Sequence, residues 1–178
     1  MNYFRNSLIF ISLAGVFCLL PACKEKKSKA SEEASREMEK RMIEVHRIML
    51  ARDKRRIEGY IEREQLHMTE SPTGLWFSVQ NPDKADSVKP GMTVRLKYTL
   101  SLLDGKTCYD SDIDGIKSFH TGRGGVESGL EEGILMMCIG GKAKFIMPPH
   151  LAYGLPGDGG CIPAQAIIVY DIEVLSAE

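Results

Sequence analysis

The residues that could do chemistry are few in this 178-residue chain, and the most suggestive group is an acidic run. Asp110–Gly115 reads DSDIDG, and its acids at the first, third and fifth places with glycine at the sixth match the opening of a calcium-binding loop. The twelfth place should hold a bidentate glutamate but holds Thr121, and a predicted strand rather than a helix precedes the run. A solvated acidic turn therefore explains the run better, and calcium binding stays as an alternative.

Other catalytic and metal-binding patterns are missing from the sequence. His46, His67, His120 and His150 show no HExxH spacing and no pairing with a CxxC motif, which argues against zinc. Gly122–Gly125, GRGG, lacks the Lys-Ser/Thr pair of a phosphate-binding loop, and no Ser-His-Asp or Cys-His arrangement can be assembled. We therefore expect neither a metal nor a cofactor.

A set of apolar and aromatic residues lies at or near the ends of predicted strands and helices. These residues are Tyr109, Phe119, Val126, Leu130, Tyr153, Ile162 and Tyr170. Together they favour an apolar pocket with few polar groups, although any one of them alone would be interpreted as core. Tyr153 lies within Pro148–Ala166, where prolines and glycines stiffen and turn the chain, as a loop that arches over a ligand would require.

The elements that must position these residues follow from periodicity. Ser31–Met68 is rich in helix-forming residues, and an apolar residue recurs there every three or four positions. Such a stripe suits a homodimer seam or a surface docked on the folded domain, and a plain stalk explains it equally well. Gly59 weakens the helix by about 1 kcal/mol relative to alanine, which predicts a bend.

The pattern then changes to strands. Leu75–Gln80, Thr93–Leu103 and Ala166–Leu175 are predicted strands, and the second alternates apolar and polar residues as a half-buried strand does. Ser128–Met137 predicts one short helix with Ser128 as its N-cap. The fold class is therefore α+β, with an antiparallel twisted β-sheet wrapped on one short helix and a long helical stalk in front.

The amino terminus predicts export and lipid attachment. Leu8–Leu20 is an apolar run too short to span a membrane, and Leu20-Pro21-Ala22-Cys23 resembles the lipobox of bacterial lipoproteins, in which the cysteine is acylated. Lys24 resembles the pattern sent on to an outer membrane. The predicted segments are a signal peptide at 1–22, a tether at 23–31, a helical stalk at 32–68 and a folded domain at 69–178.

Charge distribution excludes one class of partner. Residues 66–178 hold 9 basic and 14 acidic side chains, and this mildly acidic balance argues against a nucleic-acid site.

Two long stretches resemble the FKBP family of peptidyl-prolyl cis-trans isomerases. They are KPGMTVRLKYTLSLLDGKTCYDS, which begins at Lys89, and VESGLEEGILMMCIGGKAKFIMPPHLAYGLPGDGGCIPAQAIIVYDIEVL, which begins at Val126. The resemblance covers Thr73–Leu175, and its LAYG…GDGG.IP run is highly specific. The whole chain, with lipobox and stalk, is similar to exported FKBP-type lipoproteins of bacteria.

The resemblance implies a set of site residues. Tyr98 stands at the pocket tyrosine of the first strand, and Tyr153 stands at the phenol that hydrogen-bonds the bound carbonyl. Val126 and Glu127 replace a Val-Ile pair whose second backbone N–H also reaches the ligand. Leu130 replaces the tryptophan that floors the pocket.

Further positions carry over with departures from the family. Ile162 and Tyr170 match the remaining wall, and Tyr170 replaces a phenylalanine. Another pocket phenylalanine aligns with Lys117, two residues before Phe119.

The family's Phe-Asp corner can be matched in two registers. Without a gap it falls on Cys108 and Tyr109; with one inserted residue it falls on Tyr109 and Asp110, the register we favour, in which Asp110 orients the site electrostatically. In the gapless register, Cys108 and Cys161 stand at positions that meet beside the pocket, which implies a disulfide and leaves Cys138 free.

The resemblance implies an isomerase that acts on Xaa-Pro bonds of unfolded or partner proteins without a nucleophile. The alternative is a catalytically weak FKBP-like binding or chaperone module on a lipoprotein anchored in the bilayer through acylated Cys23. The departures at Lys117, Glu127 and Leu130 favour that alternative modestly.

Overall fold

The computed structural model describes residues 29–178, so the predicted signal peptide, lipobox and Cys23 lie outside the described residues. The elements in chain order are α1 (Lys29–Arg63), β1 (Thr69–Glu70), β2 (Trp76–Gln80), β3 (Thr93–Leu102), β4 (Thr107–Asp110), α2 (Ser111–Asp114), β5 (Lys117–His120), α3 (Ser128–Ile134), β6 (Lys142–Met147), a 3-10 turn (Pro149–Leu151) and β7 (Ile168–Ala177). The chain forms two compact units that divide between Lys40 and Arg41, and the start of α1 is all that is described of the first.

The second unit is built on one antiparallel sheet in the order β1-β2-β6-β7-β3-β4, with β5 also paired to β3. β3 and β7 form the longest pairing, and β3 alternates as its sequence predicts: Val94, Leu96 and Leu100 are buried on the inner face, whereas Arg95 and Lys97 are exposed. The α+β class and the antiparallel sheet are thus confirmed.

The inner face of the sheet holds the main core and packs on α3. The two layers approach closely because α3 carries glycine where it meets β6: a Cβ on Gly133 would lie 2.7 Å from the Phe145 ring. Leu130 and Ile134 from α3 are fully buried in this core. Close contact between helix and sheet fixes the start of α3, the element that delivers Glu127 to the site described below.

The predicted cap of α3 is wrong. The helix begins at Ser128, so Glu127 takes the N-cap position, and no side chain caps the helix. Ser128 Oγ instead donates to the carbonyl oxygen of Leu151 at 3.5 Å. Glu127 therefore occupies the N-cap position, but its side chain is buried in the fold and does not cap the helix.

The later part of α1 packs on the outer face of the sheet. Ile57 is buried with Ile146 and Val169, and Asp53 is buried beside it with a 2.9 Å ion pair to Arg52. α1 is one continuous helix through Gly59, the residue at which the sequence predicts a bend. This part of the helix is docked on the sheet rather than standing free.

The earlier part of α1 presents its apolar residues to solvent. Met38, Met42 and Val45 are more than half exposed. The homodimer seam predicted from this stripe stays a prediction. Within residues 29–178 the structure contains no helix whose length and apolar character would let it span a membrane.

Candidate active site

Two tyrosine rings form one wall of the candidate site on the inner face of the sheet. Tyr98 lies on β3 and Tyr170 on β7, and the strand register makes them diagonal neighbours. Their ring centroids are 5.8 Å apart and their planes meet at 61°, an edge-to-face contact. Tyr170 is fully buried and Tyr98 is half-buried.

Glu127 sends its side chain between these rings and the loop after the 3-10 turn. The Tyr170 hydroxyl donates to Glu127 Oε1 at 2.9 Å. The Tyr153 hydroxyl and the Glu127 backbone N–H also lie near enough to the carboxylate to lower its pKa. Only 5% of the Glu127 side chain is exposed, so the structure surrounds a buried carboxylate with donors.

Lys117, at the start of β5, supplies the counter-ion. Its Nζ donates to the Tyr170 hydroxyl oxygen at 2.7 Å and lies 3.4 Å from both carboxylate oxygens of Glu127. The same Nζ lies 5.2 Å from the ring centroids of Tyr98 and of Tyr170, within cation–π range. We call Lys117, Glu127, Tyr153 and Tyr170 the polar tetrad.

Opposing influences set the protonation state of the tetrad. Burial alone would raise the pKa of Glu127, but the charge of Lys117 and the hydrogen bonds from Tyr153, its own backbone and Tyr170 hold that pKa below its ordinary value. Burial and the adjacent Glu127 carboxylate raise the pKa of Tyr153, and the same two influences raise the pKa of Tyr170. At neutral pH Glu127 is therefore a carboxylate, and Tyr153 and Tyr170 are neutral phenols.

The tetrad changes the expected character of the pocket. The sequence predicts an apolar hollow, and the family resemblance implies that Tyr153 and the Glu127 backbone N–H bond a substrate carbonyl there. In the structure the Glu127 carboxylate accepts from the Tyr170 hydroxyl, and the Lys117 ammonium lies against the faces of Tyr98 and Tyr170. Charged side chains of the chain itself thus fill the space between the aromatic walls.

The remaining predicted wall residues lie in or against the main core. Leu130 and Ile162 are buried and Val126 is half-buried against the same cluster. Phe119 is also buried, but it lies opposite Val94, one inward-facing position further along β5 than Lys117. Lys117, rather than Phe119, reaches the tyrosine rings.

Asp110 is not where the predicted catalytic role requires it. It pairs with Thr99, and Thr99 Oγ1 donates to its carboxylate at 3.0 Å, so both face the outer side of the sheet. The other Asp110 oxygen accepts from the Asp112 backbone N–H at 2.8 Å and caps α2. Strand alternation puts Tyr109, not Asp110, on the inner face, which corrects the favoured register.

Asp110 instead lines a groove of about 490 Å³ on that outer face. The groove is rich in charged side chains that pair with one another, including Lys144 and Asp171. The acidic run that matched the opening of a calcium loop forms the short helix α2. Within residues 29–178, no three His, Cys, Asp or Glu side chains are grouped so as to hold a metal ion.

A disulfide and one aspartate organise the rim of the site. Cys108 and Cys161, the pair that the family resemblance implied, are joined across 53 residues, and Cys138 is a half-buried free thiol. The Tyr109 hydroxyl donates to Asp158, which also accepts from the backbone N–H of Ile162 at 2.9 Å.

Sequence reasoning missed Asp158. The hydrogen bond from Tyr109 is the main reason that the pKa of Asp158 lies below its ordinary value. The signal that could have found it is an aspartate followed by two glycines, a typical turn that bonds its own backbone. The loop is tight as well: a Cβ on Gly157, whose φ is +74°, would lie 2.3 Å from the carbonyl oxygen of Ile162.

Comparison with known proteins identifies a family that this chain resembles. The family model described as FKBP-type peptidyl-prolyl cis-trans isomerase matches residues 84–175. FK506-binding protein 2 of Yarrowia lipolytica is 36% identical over 107 residues, which cover 59% of this chain and 74% of that protein. FKBP-type peptidyl-prolyl cis-trans isomerase FkpA of Aeromonas hydrophila is 37% identical over 117 residues, covering 66% of this chain and 42% of that protein.

The relatives differ in length from this chain. The human peptidyl-prolyl cis-trans isomerase FKBP9 is 39% identical over 105 residues, and the match spans 56% of this chain but only 18% of that protein. Among solved structures, the crystal structure of FkpA from Escherichia coli has a TM-score of 0.62 at 30% identity and covers 86% of this chain and 74% of that chain.

Proposed function

The chain belongs to the family of FKBP-type peptidyl-prolyl cis-trans isomerases, and we propose that it isomerises Xaa-Pro bonds in exported proteins at the site walled by Tyr98 and Tyr170. Substrates are proline-containing segments of unfolded or partner proteins. The sequence motifs support the family, and the inner-face site supports the place of the reaction.

One observation carries the proposal. Residues 98, 127, 153 and 170, which lie on two strands, a helix start and a loop, converge within hydrogen-bond or ring-contact distance of one another. These are positions that the family resemblance assigns to the pocket. A close-packed core fixes the backbone positions of these four segments, from which the side chains reach the substrate, and isomerisation by positioning needs such a frame.

The reaction needs no nucleophile. Rotation about an Xaa-Pro bond is slow because amide resonance gives a barrier of about 20 kcal/mol. A twisted amide loses that resonance and its polarity, so a water-poor cavity between aromatic rings binds the twisted state better than the planar one. Binding that is tighter in the transition state accelerates the reaction.

Substrate entry requires the tetrad to open. Lys117 is its most mobile member, because 21% of its side chain is exposed and its four-carbon stem can turn toward solvent. With the ammonium outside, the space beside the rings of Tyr98 and Tyr170 becomes available to the substrate. Tyr153 can then turn its hydroxyl from Glu127 to the substrate carbonyl.

The cellular setting is part of the proposal. The lipobox-like motif ending at Cys23 supports an acylated protein anchored in the bacterial cell envelope, in the outer membrane, whose folded domain assists folding of exported proteins. The exposed apolar residues of the earlier part of α1 leave room for pairing of two copies.

An isomerase assay on short Xaa-Pro peptides, read by NMR exchange, tests the activity. We expect clear acceleration over the uncatalysed rate, with a loss of about tenfold in Tyr153→Phe if one hydrogen bond to the transition state is removed. Lys144→Met, on the outer face of the sheet, is the matched control and should keep the wild-type rate. Binding of the peptides without acceleration would contradict the proposal and favour a binding module.

A further inference from the structure

We propose that the site prefers substrates in which Lys or Arg adjoins the proline, because the substrate cation takes the place of the Lys117 ammonium beside Glu127. The inference rests on the proposed function and names the substrate class of the same site. It assigns two residues that determine specificity: Glu127 as the receiving anion and Lys117 as the internal competitor.

The place that Lys117 Nζ occupies is a binding site for a cation. The ring centroids of Tyr98 and Tyr170 lie 5.2 Å from the ammonium, and the Tyr170 hydroxyl oxygen accepts a hydrogen bond from it at 2.7 Å. Both carboxylate oxygens of Glu127 lie 3.4 Å from it. Aromatic faces with a buried carboxylate recognise ammonium and guanidinium groups.

The two charged members of the tetrad do not leave the site equally easily. Glu127 is 5% exposed, and its carboxylate accepts from the Tyr170 hydroxyl at 2.9 Å as well as pairing with Lys117. Lys117 is 21% exposed and holds only the Tyr170 hydroxyl at short distance. The ammonium therefore leaves and the carboxylate stays.

What remains after Lys117 leaves decides the substrate. A buried carboxylate without its counter-ion is strongly unfavourable, so a neutral Xaa-Pro segment must enter against that penalty. A segment that carries Lys or Arg next to the proline supplies the missing cation, and an acidic one adds a second negative charge to the site. The expected order is therefore basic, then neutral, then acidic.

The opposite preference would follow if Lys117 stayed in the site and Glu127 moved. An acidic residue next to the proline would then be favoured, because it would pair with the ammonium. The burial of Glu127 and its hydrogen bond from Tyr170 argue against this, and the experiment below separates the two.

The test measures binding and turnover of matched peptides by the full domain. The peptides are blocked Ala-Lys-Pro-Phe, Ala-Arg-Pro-Phe, Ala-Leu-Pro-Phe and Ala-Glu-Pro-Phe, with Ala-Ala-Pro-Lys and Ala-Ala-Pro-Leu for the other side of the proline. Affinity is measured by calorimetric titration and turnover by NMR exchange. We expect Lys or Arg peptides to bind at least about tenfold more tightly than their Leu counterparts, the scale of one charged contact in a desolvated site.

Three variants test whether Lys117 and Glu127 cause the preference for basic peptides. Glu127→Gln should reduce the basic-to-neutral ratio to about one, because the amide keeps the shape but not the charge. Lys117→Met should raise the ratio above that of the wild type, because the internal competitor is gone. Lys144→Met, which removes a lysine that pairs with Asp171 on the outer face, should leave the ratio unchanged.

The outcomes for the inference and for the proposed function are distinct. Equal affinity for Lys and Leu peptides, a preference for Glu, or a ratio unaffected by Glu127→Gln would each overturn the inference even if all peptides are isomerised. No acceleration with any peptide would overturn the proposed function, and the binding arm would still decide the inference.

Discussion

The two faces of the sheet carry ion pairs of the same residue types in opposite settings. On the outer face Lys144 and Asp171 approach to 2.6 Å, with 27% and 53% of their side chains exposed. On the inner face Lys117 and Glu127 are 3.4 Å apart, with 21% and 5% exposed. The shorter pair is the less consequential one, because solvent screens it and can replace either partner.

Burial, rather than distance, therefore decides how much the loss of one partner of a charge pair costs. Removing one partner on the outer face leaves a hydrated charge, whereas removing one on the inner face leaves a carboxylate enclosed by tyrosines and core. We therefore expect the inner pair to affect stability and, if the two proposals above hold, substrate entry and substrate choice, whereas the outer pair should affect none of them. The predictions below test that contrast.

The largest effect is expected from Lys117→Met. Loss of the ammonium leaves Glu127 unpaired in the core, which should lower the free energy of unfolding by about 4 kcal/mol. Lys144→Met should change it by less than about 1 kcal/mol. Urea denaturation followed by circular dichroism measures both.

A double-mutant cycle sharpens this result. Lys117→Met with Glu127→Gln should be more stable than Lys117→Met alone, because the amide needs no counter-ion. Independent, additive losses from the two substitutions would show that the residues do not act as a pair.

Removing the Cys108–Cys161 disulfide at the rim of the site should cause the next largest loss of stability. Replacing Cys108 and Cys161 by serine frees a loop of 53 residues in the unfolded chain and should lower the free energy of unfolding by about 3 kcal/mol. Denaturation of the variant, and of the wild type with and without reductant, measures the loss. A variant as stable as the oxidised wild type would contradict the bond's contribution, and Cys138→Ser is the matched control.

Tyr170→Phe should lower stability less than Lys117→Met or removal of the disulfide does. It keeps the ring but removes the hydroxyl that accepts from Lys117 and donates to Glu127, at about 2 kcal/mol for bonds to charged groups. Thermal and urea unfolding against wild type measure the change. Stability equal to wild type would mean that the hydroxyl does not hold the pair.

The smallest expected effect is on the pH dependence of stability. Folding lowers the pKa of Glu127 below its ordinary value of 4.5, so its contribution is complete above that value and is lost as the pH falls toward the folded pKa. The groups facing this carboxylate are Lys117, Tyr153 and Tyr170, and the pKa values of both tyrosines are raised, so neither phenol loses its proton in that range.

Melting temperatures from pH 7 to pH 3 test this prediction. Wild type should lose more stability on acidification than Glu127→Gln, which has no carboxyl there to protonate. Parallel curves for the two proteins would contradict it, and the shared rim carboxylate of Asp158, whose pKa is also lowered, cancels in the comparison.

Much of the fold follows from the sequence. The period-two pattern of β3 predicted which side chains face inward, because one face of that strand is buried on the core. The sequence also predicted the helix of the stalk. It left open whether the apolar stripe forms a homodimer seam, docks on the domain as Ile57 does, or belongs to a plain stalk. A stripe of apolar residues does not say which surface covers it.

Of the residues that the sequence assigns to the site, Tyr98, Glu127 and Tyr170 lie together, whereas Asp110 lies on the other face of the sheet, and their roles stay predictions. Lys117 and Glu127 were both visible as departures from an apolar pocket, and two opposite charges in one predicted hollow indicate an ion pair. The register at Tyr109 and Asp110 was not readable, because an irregularity between Leu100 and Ser101 shifts the pairing of β3 with β4. A single inserted residue reverses which side chain faces inward.

The most direct measurement follows the Lys117 ammonium itself by NMR during peptide titration. Nitrogen-15 spectra of the lysine side chains should show one ammonium protected from solvent by Tyr170 and Glu127, assigned by its loss in Lys117→Met. The account predicts that saturating Ala-Lys-Pro-Phe releases this ammonium to solvent while the peptide's own ammonium becomes protected. A Lys117 signal that stays protected when peptide is bound would contradict it.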